Sequence, residues 1–200
     1  MLQTDSWYNR NMYQSDCKKA SSGDNQQETL TRRWLNSISK DMAIYLTGFT
    51  DGEGSFNVSI RHHPGYALKW KTSLTFNVSQ NGEKALKLFK KVFKCGYVRK
   101  RSDGIHYFEI VKFQDIVDKV IPFFEKFKLR SEKTEDFNKF HKIANLMRKG
   151  SHLNQKGLIN ILEIRKTMNR GGKNRRLSID MIIDSNRRIL RDYTPNSERR

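Results

Sequence analysis

Residues 68–80, LKWKTSLTFNVSQ, alternate without a fault. Leu68, Trp70, Thr72, Leu74, Phe76 and Val78 fall on one side, and Lys69, Lys71, Ser73, Thr75, Asn77 and Ser79 on the other. Period two over that length predicts a long strand with one dry and one wet face. The wet face of this strand carries lysines, hydroxyls and amides, and no acid. Such a strand needs partners, and the chain offers three. SFNVSIR (55–61) repeats the alternation with Phe56, Val58 and Ile60 inward, and His62-His63-Pro64-Gly65 turns it back. GYVRKRSDGIHYFEI (96–110) has the form of a hairpin turning at Ser102-Asp103-Gly104.

Between and after the strands the period changes to that of helices. Residues 39–51 can be capped by Ser39, with Met42, Tyr45, Leu46 and Phe49 on one bulky face and Ile44, Thr47, Gly48 and Asp51 on a second, smaller one. Two faces of this kind suit a helix with two neighbours, its own core and a closely approaching backbone. An ordinary buried helix ending in glycine is the alternative. GEKALKLFKKVFK (82–94) buries Ala85, Leu86, Phe89, Val92 and Phe93 and turns lysines outward. FQDIVDKVIPFFEKF (113–127) is helical with a break at Pro122, and two more helices follow. The order predicts an α+β fold of the αββαββα type, a four-stranded antiparallel sheet with its helices on the dry face. The other face is left open, long and cationic. Residues 1–35, poor in apolar side chains, are expected to be a flexible arm, 36–170 the folded domain and 171–200 a basic tail.

Lys and Arg number 39 against 21 Asp and Glu, a net charge of +18, which points to a polyanionic partner. Cys17 and Cys95 offer neither a disulfide framework nor a zinc cluster. No apolar run is long enough to span a membrane, and the polar start argues against a secretory signal, so an intracellular location is expected.

Against that basic background stands Asp51-Gly52-Glu53-Gly54. Two acids at the C-terminus of a helix face the negative end of its dipole, so a bound cation is expected there. A calcium loop would need glycine and glutamate where Phe56 and His62 stand. A dinucleotide fingerprint would need a third glycine and a helix after it. Carboxylate and carbonyl oxygens suit magnesium, with the Gly52 carbonyl beside the Glu53 carboxylate. With phosphates held on the sheet, metal-assisted phosphodiester cleavage follows as the reaction class.

The run Leu46-Thr47-Gly48-Phe49-Thr50-Asp51-Gly52-Glu53-Gly54 resembles the motif of the LAGLIDADG homing endonucleases, DNases encoded within mobile introns. Phe76-Asn77-Val78-Ser79-Gln80 resembles the end of that family's second strand, Gly96-Tyr97-Val98 its third, and the segment from His152 through Gly157, Leu158, Ile161 and Leu162 its closing helix. The resemblance covers about residues 41–169. It implies a site-specific endonuclease using Mg2+ or Mn2+ that makes a staggered break in double-stranded DNA at a near-palindromic target. Glu53 corresponds to the metal ligand, assisted by Gly52. Gln80 matches a residue that positions the attacking water, Lys84 a basic residue facing the scissile phosphates, and Lys133 a charge-stabilising lysine, a role open also to Lys128 and Arg130. The departures at Thr47, Thr50 and Gly52, and Glu in place of Asp, keep the ligand chemistry. A single motif copy implies a homodimer through Ile44, Thr47, Gly48 and Asp51, although Asp51 also reads as a group that closes the helix end. Asn57, Ser59, Arg61, Lys69, Lys71, Thr75, Asn77, Arg99 and Arg101 are the expected DNA contacts. The same scaffold supports two alternatives, a maturase that binds intron RNA and a regulator that binds DNA without cutting. Family analogy suggests a mitochondrion or chloroplast.

Overall fold

In the computed structural model, which describes residues 23–171 and 180–181, the alternating run forms the second strand of a four-stranded antiparallel sheet. The strands are β1 (Gly54–His62), β2 (Trp70–Gln80), β3 (Tyr97–Lys100) and β4 (His106–Ile110), in the order β1-β2-β4-β3. Register follows the predicted alternation. Phe56 lies opposite Phe76 and Val58 opposite Leu74, while Asn57 meets Thr75 and Arg61 meets Lys71 on the other face. On the far side of β2, Phe76 faces Ile110 and Val78 faces Phe108.

The dry face collects phenylalanines. Phe56, Phe76 and Phe108 from the strands pack with Phe89, Phe93, Phe123, Phe124 and Phe140 from the helices, and none of these rings is more than marginally exposed. Phe76 sits in the middle, its ring centroid 5.3 Å from Phe56, 5.4 Å from Phe124 and 5.9 Å from Phe93. Rings enclosed on this scale each cost about 3–5 kcal/mol when truncated to alanine. The sheet's dry face is therefore held by a continuous aromatic core. Its helices are α2 (Lys40–Glu53), α3 (Glu83–Phe93), α4 (Phe113–Asp115), α5 (Ile121–Lys126), α6 (Lys133–Arg148) and α7 (Gln155–Lys166), with α1 described below. The break expected at Pro122 takes the form of a π-helical stretch, Ile116–Val120, that joins α4 to α5.

Three expectations need correction. Residues 23–35, taken as part of a flexible arm, belong to helix α1 (Gly23–Asn36). Its polar sequence holds one large anchor: Trp34 is buried and donates from Nε1 to the Val92 carbonyl at 2.8 Å, with the Lys119 ammonium 4.2 Å from its ring centroid. Residues 1–22, and 172–179 and 182–200 of the basic tail, lie outside the described residues. Second, β2 begins at Trp70, so Lys69 stands in the preceding loop with left-handed backbone (φ 58°), its Nζ bonded to the Pro64 carbonyl. Third, Ser39 caps α2 as expected, accepting from the Met42 N–H. The inward face of that helix, however, is Ala43, Leu46, Thr47 and Thr50, with Met42 and Phe49 half-buried and Tyr45 exposed.

Helix α1 docks partly through Asp118, whose carboxylate accepts from Gln27 at 3.0 Å and Gln114 at 2.9 Å. Burial nevertheless holds this carboxyl above the ordinary carboxylate range. A carboxyl with a raised pKa takes up a proton on folding, so its contribution to stability weakens as pH climbs through that raised value. The unfolding free energy of Asp118→Asn, measured in urea, is expected to gain on the unmodified protein from acidic to neutral pH. A difference flat across that range would refute the assignment.

Candidate metal centre and nucleic-acid interface

Helix α2 runs into β1 without a loop. Gly54 donates to the Thr50 carbonyl and opens the strand. It is required there, because a Cβ at this position would lie 2.6 Å from Thr50 O. Gly48 and Gly52 differ: a Cβ on either would meet nothing within 4 Å. Packing among the described residues does not demand those two glycines.

The two acids of the turn have separate jobs. Asp51 accepts from the Arg130 N–H at 2.9 Å, the Ser131 N–H at 3.3 Å and Ser131 Oγ at 2.7 Å. Ser131 Oγ in turn accepts from the N–H of Lys133, the first residue of α6. Asp51 thus ties the segment before α6 to the end of α2, which is the helix-closing role, and it is not part of a small outer face. Thr47 is buried as well, so of the four expected interface residues only Ile44 and Gly48 are exposed. Glu53 is exposed and carries no hydrogen bond or ion pair among the described residues.

Around Glu53 the sheet and loops place the other candidates. Register sets Gly54 opposite Val78, so Glu53 and Gln80 leave the sheet at the same end. Gln80 Oε1 accepts the Asn81 N–H at 2.8 Å. Lys84 is exposed in the first turn of α3. Of the three late cations, Arg130 has its backbone held by Asp51 and its side chain exposed, Lys128 is also exposed, and Lys133 is half-buried.

The donors at this turn are hard oxygens, the Glu53 carboxylate and the Gly52 carbonyl among the outward-facing groups of the last helical turn. They fit magnesium or manganese in kind. They do not complete a site in number, since no group of three or more His, Cys, Asp or Glu able to hold a metal occurs among the described residues.

The open face of the sheet reads in rows. Ser55 aligns with Asn77, Asn57 with Thr75, Ser59 with Ser73 and Arg61 with Lys71. Asn77 aligns onward with Glu109, and Ser79 with Tyr107, which in turn faces Arg99. These polar side chains are half-buried to exposed, apart from Glu109. Arg101 lies one residue beyond β3, in the hairpin turn rather than on the strand, and donates to Tyr107 Oη at 3.1 Å. On β1, Asn57 Oδ1 is engaged by Asn169 at 3.3 Å, and the Phe56 and Val58 carbonyls on this edge strand are met by Asn169 and Arg165. Sequence reasoning set Tyr45 on the core face of its helix and Tyr97 on the third strand, and singled out none of Tyr97, Tyr107 and Glu109 as side chains of the open face. The alternation of HYFEI was the available signal for the last two.

Away from the sheet, α2 shows solvent a stripe in which Ile44 is 57% and Tyr45 45% exposed, followed by Gly48 and Gly52 one and two turns on. Among the described residues no helix is long and apolar enough to cross a membrane.

Residues 46–144 match the family model described as LAGLIDADG endonuclease. DNA endonuclease I-CeuI of Chlamydomonas moewusii is 30% identical over 130 residues, which are 62% of this chain and 60% of that one. The crystal structure of the homing endonuclease I-TnaI superposes with a TM-score of 0.63 at 32% identity, covering 74% of this chain and 97% of the other. I-LtrWI bound to target DNA superposes at 0.65 with 31% identity, covering 72% and 48%. The chain spans only part of the curated relatives it matches, 60% of I-CeuI and as little as 24% of another.

Proposed function

Because the chain belongs to the LAGLIDADG endonuclease family, we propose that it is a site-specific endonuclease that hydrolyses phosphodiesters in both strands of a DNA duplex, with magnesium or manganese, at a long near-palindromic target. The observation that carries this is Glu53, an exposed carboxylate at the end of the motif helix, without a hydrogen-bond or ion-pair partner among the described residues, beside one end of a cationic sheet.

The acting unit is a homodimer. Ile44, Tyr45, Gly48 and Gly52 form a surface that the described residues leave uncovered, and a two-fold contact through it would bring two Glu53 carboxylates together. Glu53 and the Gly52 carbonyl would hold the ion, which when bound supplies Lewis-acid stabilisation and lowers the pKa of a water. Gln80 orients the attacking water from the end of β2. Lys84 pairs a phosphate from α3, and Arg130, with its backbone tied down by Asp51, offsets charge developing on the phosphoryl oxygens. Asn57, Ser59, Thr75 and Asn77 lie along the open face to meet base edges, with Arg61 and Lys71 at its rim. The remaining excess of lysine and arginine pairs phosphates. A mitochondrion or chloroplast as the compartment rests on family analogy.

The test is cleavage of the intronless form of the host locus. With magnesium, a staggered double-strand break is expected, abolished by EDTA. Tight binding to intron RNA without cutting in any divalent metal would instead make the chain a maturase. Specific duplex binding without cutting would make it a regulator.

A further inference from the structure

Glu109 is the one acidic side chain among the described strand residues of the open face, and it is only 8% exposed. A carboxylate there opposes phosphate binding and is costly to bury unless it is paired. It is paired. Its Oε2 accepts from Arg99 Nε at 2.9 Å and from Tyr97 Oη at 3.1 Å. Tyr97 is its cross-strand neighbour, and Arg99 lies two pairs further along, opposite Tyr107 and on the same face. The Arg99 side chain remains 49% exposed, and its two Nη groups make no hydrogen bond among the described residues. The bond to Glu109 also holds the guanidinium more firmly in its charged form.

An arginine meant for a phosphate needs no fixed orientation and gains nothing from a carboxylate beside it. Held at Nε, however, the planar fork presents two Nη donors end-on in a set direction. Two acceptors side by side on one base edge match it, and in the major groove only guanine offers them, at O6 and N7. Adenine presents a donor beside its N7, and thymine a single acceptor beside a methyl group. We infer that Glu109 is a positioning residue that sets Arg99 to read a guanine in the major groove, once in each half-site. This rests on the duplex-binding function proposed above.

The experiment is selection from a library of randomised DNA duplexes in calcium, followed by sequencing of the bound fraction. The unmodified chain is expected to enrich a guanine at one position per half-site. Arg99→Ala and Glu109→Ala should each lower that preference roughly tenfold or more, with the other positions unchanged. Glu109→Asp, which keeps the charge but withdraws the oxygen by a methylene, should lose it as well. Glu109→Gln, which keeps an acceptor for Nε, should retain most of it. An intact guanine preference in Glu109→Ala or Glu109→Asp, a loss spread evenly over all positions, or a Glu109→Gln profile like that of alanine would each overturn the inference. If the unmodified chain enriches no sequence at all, the duplex-binding function itself fails.

Discussion

Glu53→Gln is expected to bind the target duplex as tightly as the unmodified chain and to cut it at least about a thousandfold more slowly. A metal ion acting as a Lewis acid is worth several kcal/mol, and each ~1.4 kcal/mol lost from the transition state is a factor of ten. Glutamine keeps the size of the side chain and removes its charge. The fold should not register the change, because Glu53 is exposed and makes no bond within the chain among the described residues. Single-turnover cleavage, binding in calcium and a thermal melt together decide the matter. Undiminished cutting would show that Glu53 does not hold the metal. A collapsed melting temperature would show that its role is structural.

Gly48→Glu should separate the protomer from the proposed dimer. A Cβ at this exposed position would meet nothing within 4 Å among the described residues, and a helical glycine is a poor helix former, so the single chain should fold as well as before or slightly better. Across the proposed two-fold contact the same change would place two like charges where the two helices would approach. The expected result is a monomer by sedimentation, with double-strand cleavage reduced at least about a hundredfold, a loss of the order that burying an unpaired charge produces. Gly54 gives the contrast. Thr50 already fills the space its Cβ would need, so substitution there damages the protomer itself. A Gly48→Glu variant that remains dimeric and cuts normally would rule out this face as the contact.

Much of the platform could be read from local pattern. The alternation in 55–61 and 68–80 fixes which side chains share a face, since neighbouring residues on a strand must point opposite ways. Pairing in register then follows, and Asn57 meets Thr75 as the pattern requires. Helix α1 was hidden because its sequence is polar and its docking depends on Trp34 reaching Val92, 58 residues away. The face of α2 was misread for a different reason. A helix that touches both its own core and a second surface is apolar on two sides, and periodicity does not say which side turns inward.

The motif, the sheet and the sign of its open face were settled by residue order, because alternation, helical spacing and net charge are properties of neighbours along the chain. The division of labour between the two acids was not. Asp51 and Glu53 stand two residues apart in equivalent chemistry, and only folding brings Arg130 and Ser131, 79 and 80 residues downstream, against the first, while the second has no such partner among the described residues. Glu109 beneath Arg99 depends in the same way on strand pairing. A hydrogen bond acts over about 3 Å in space, and separation along the chain carries no record of it.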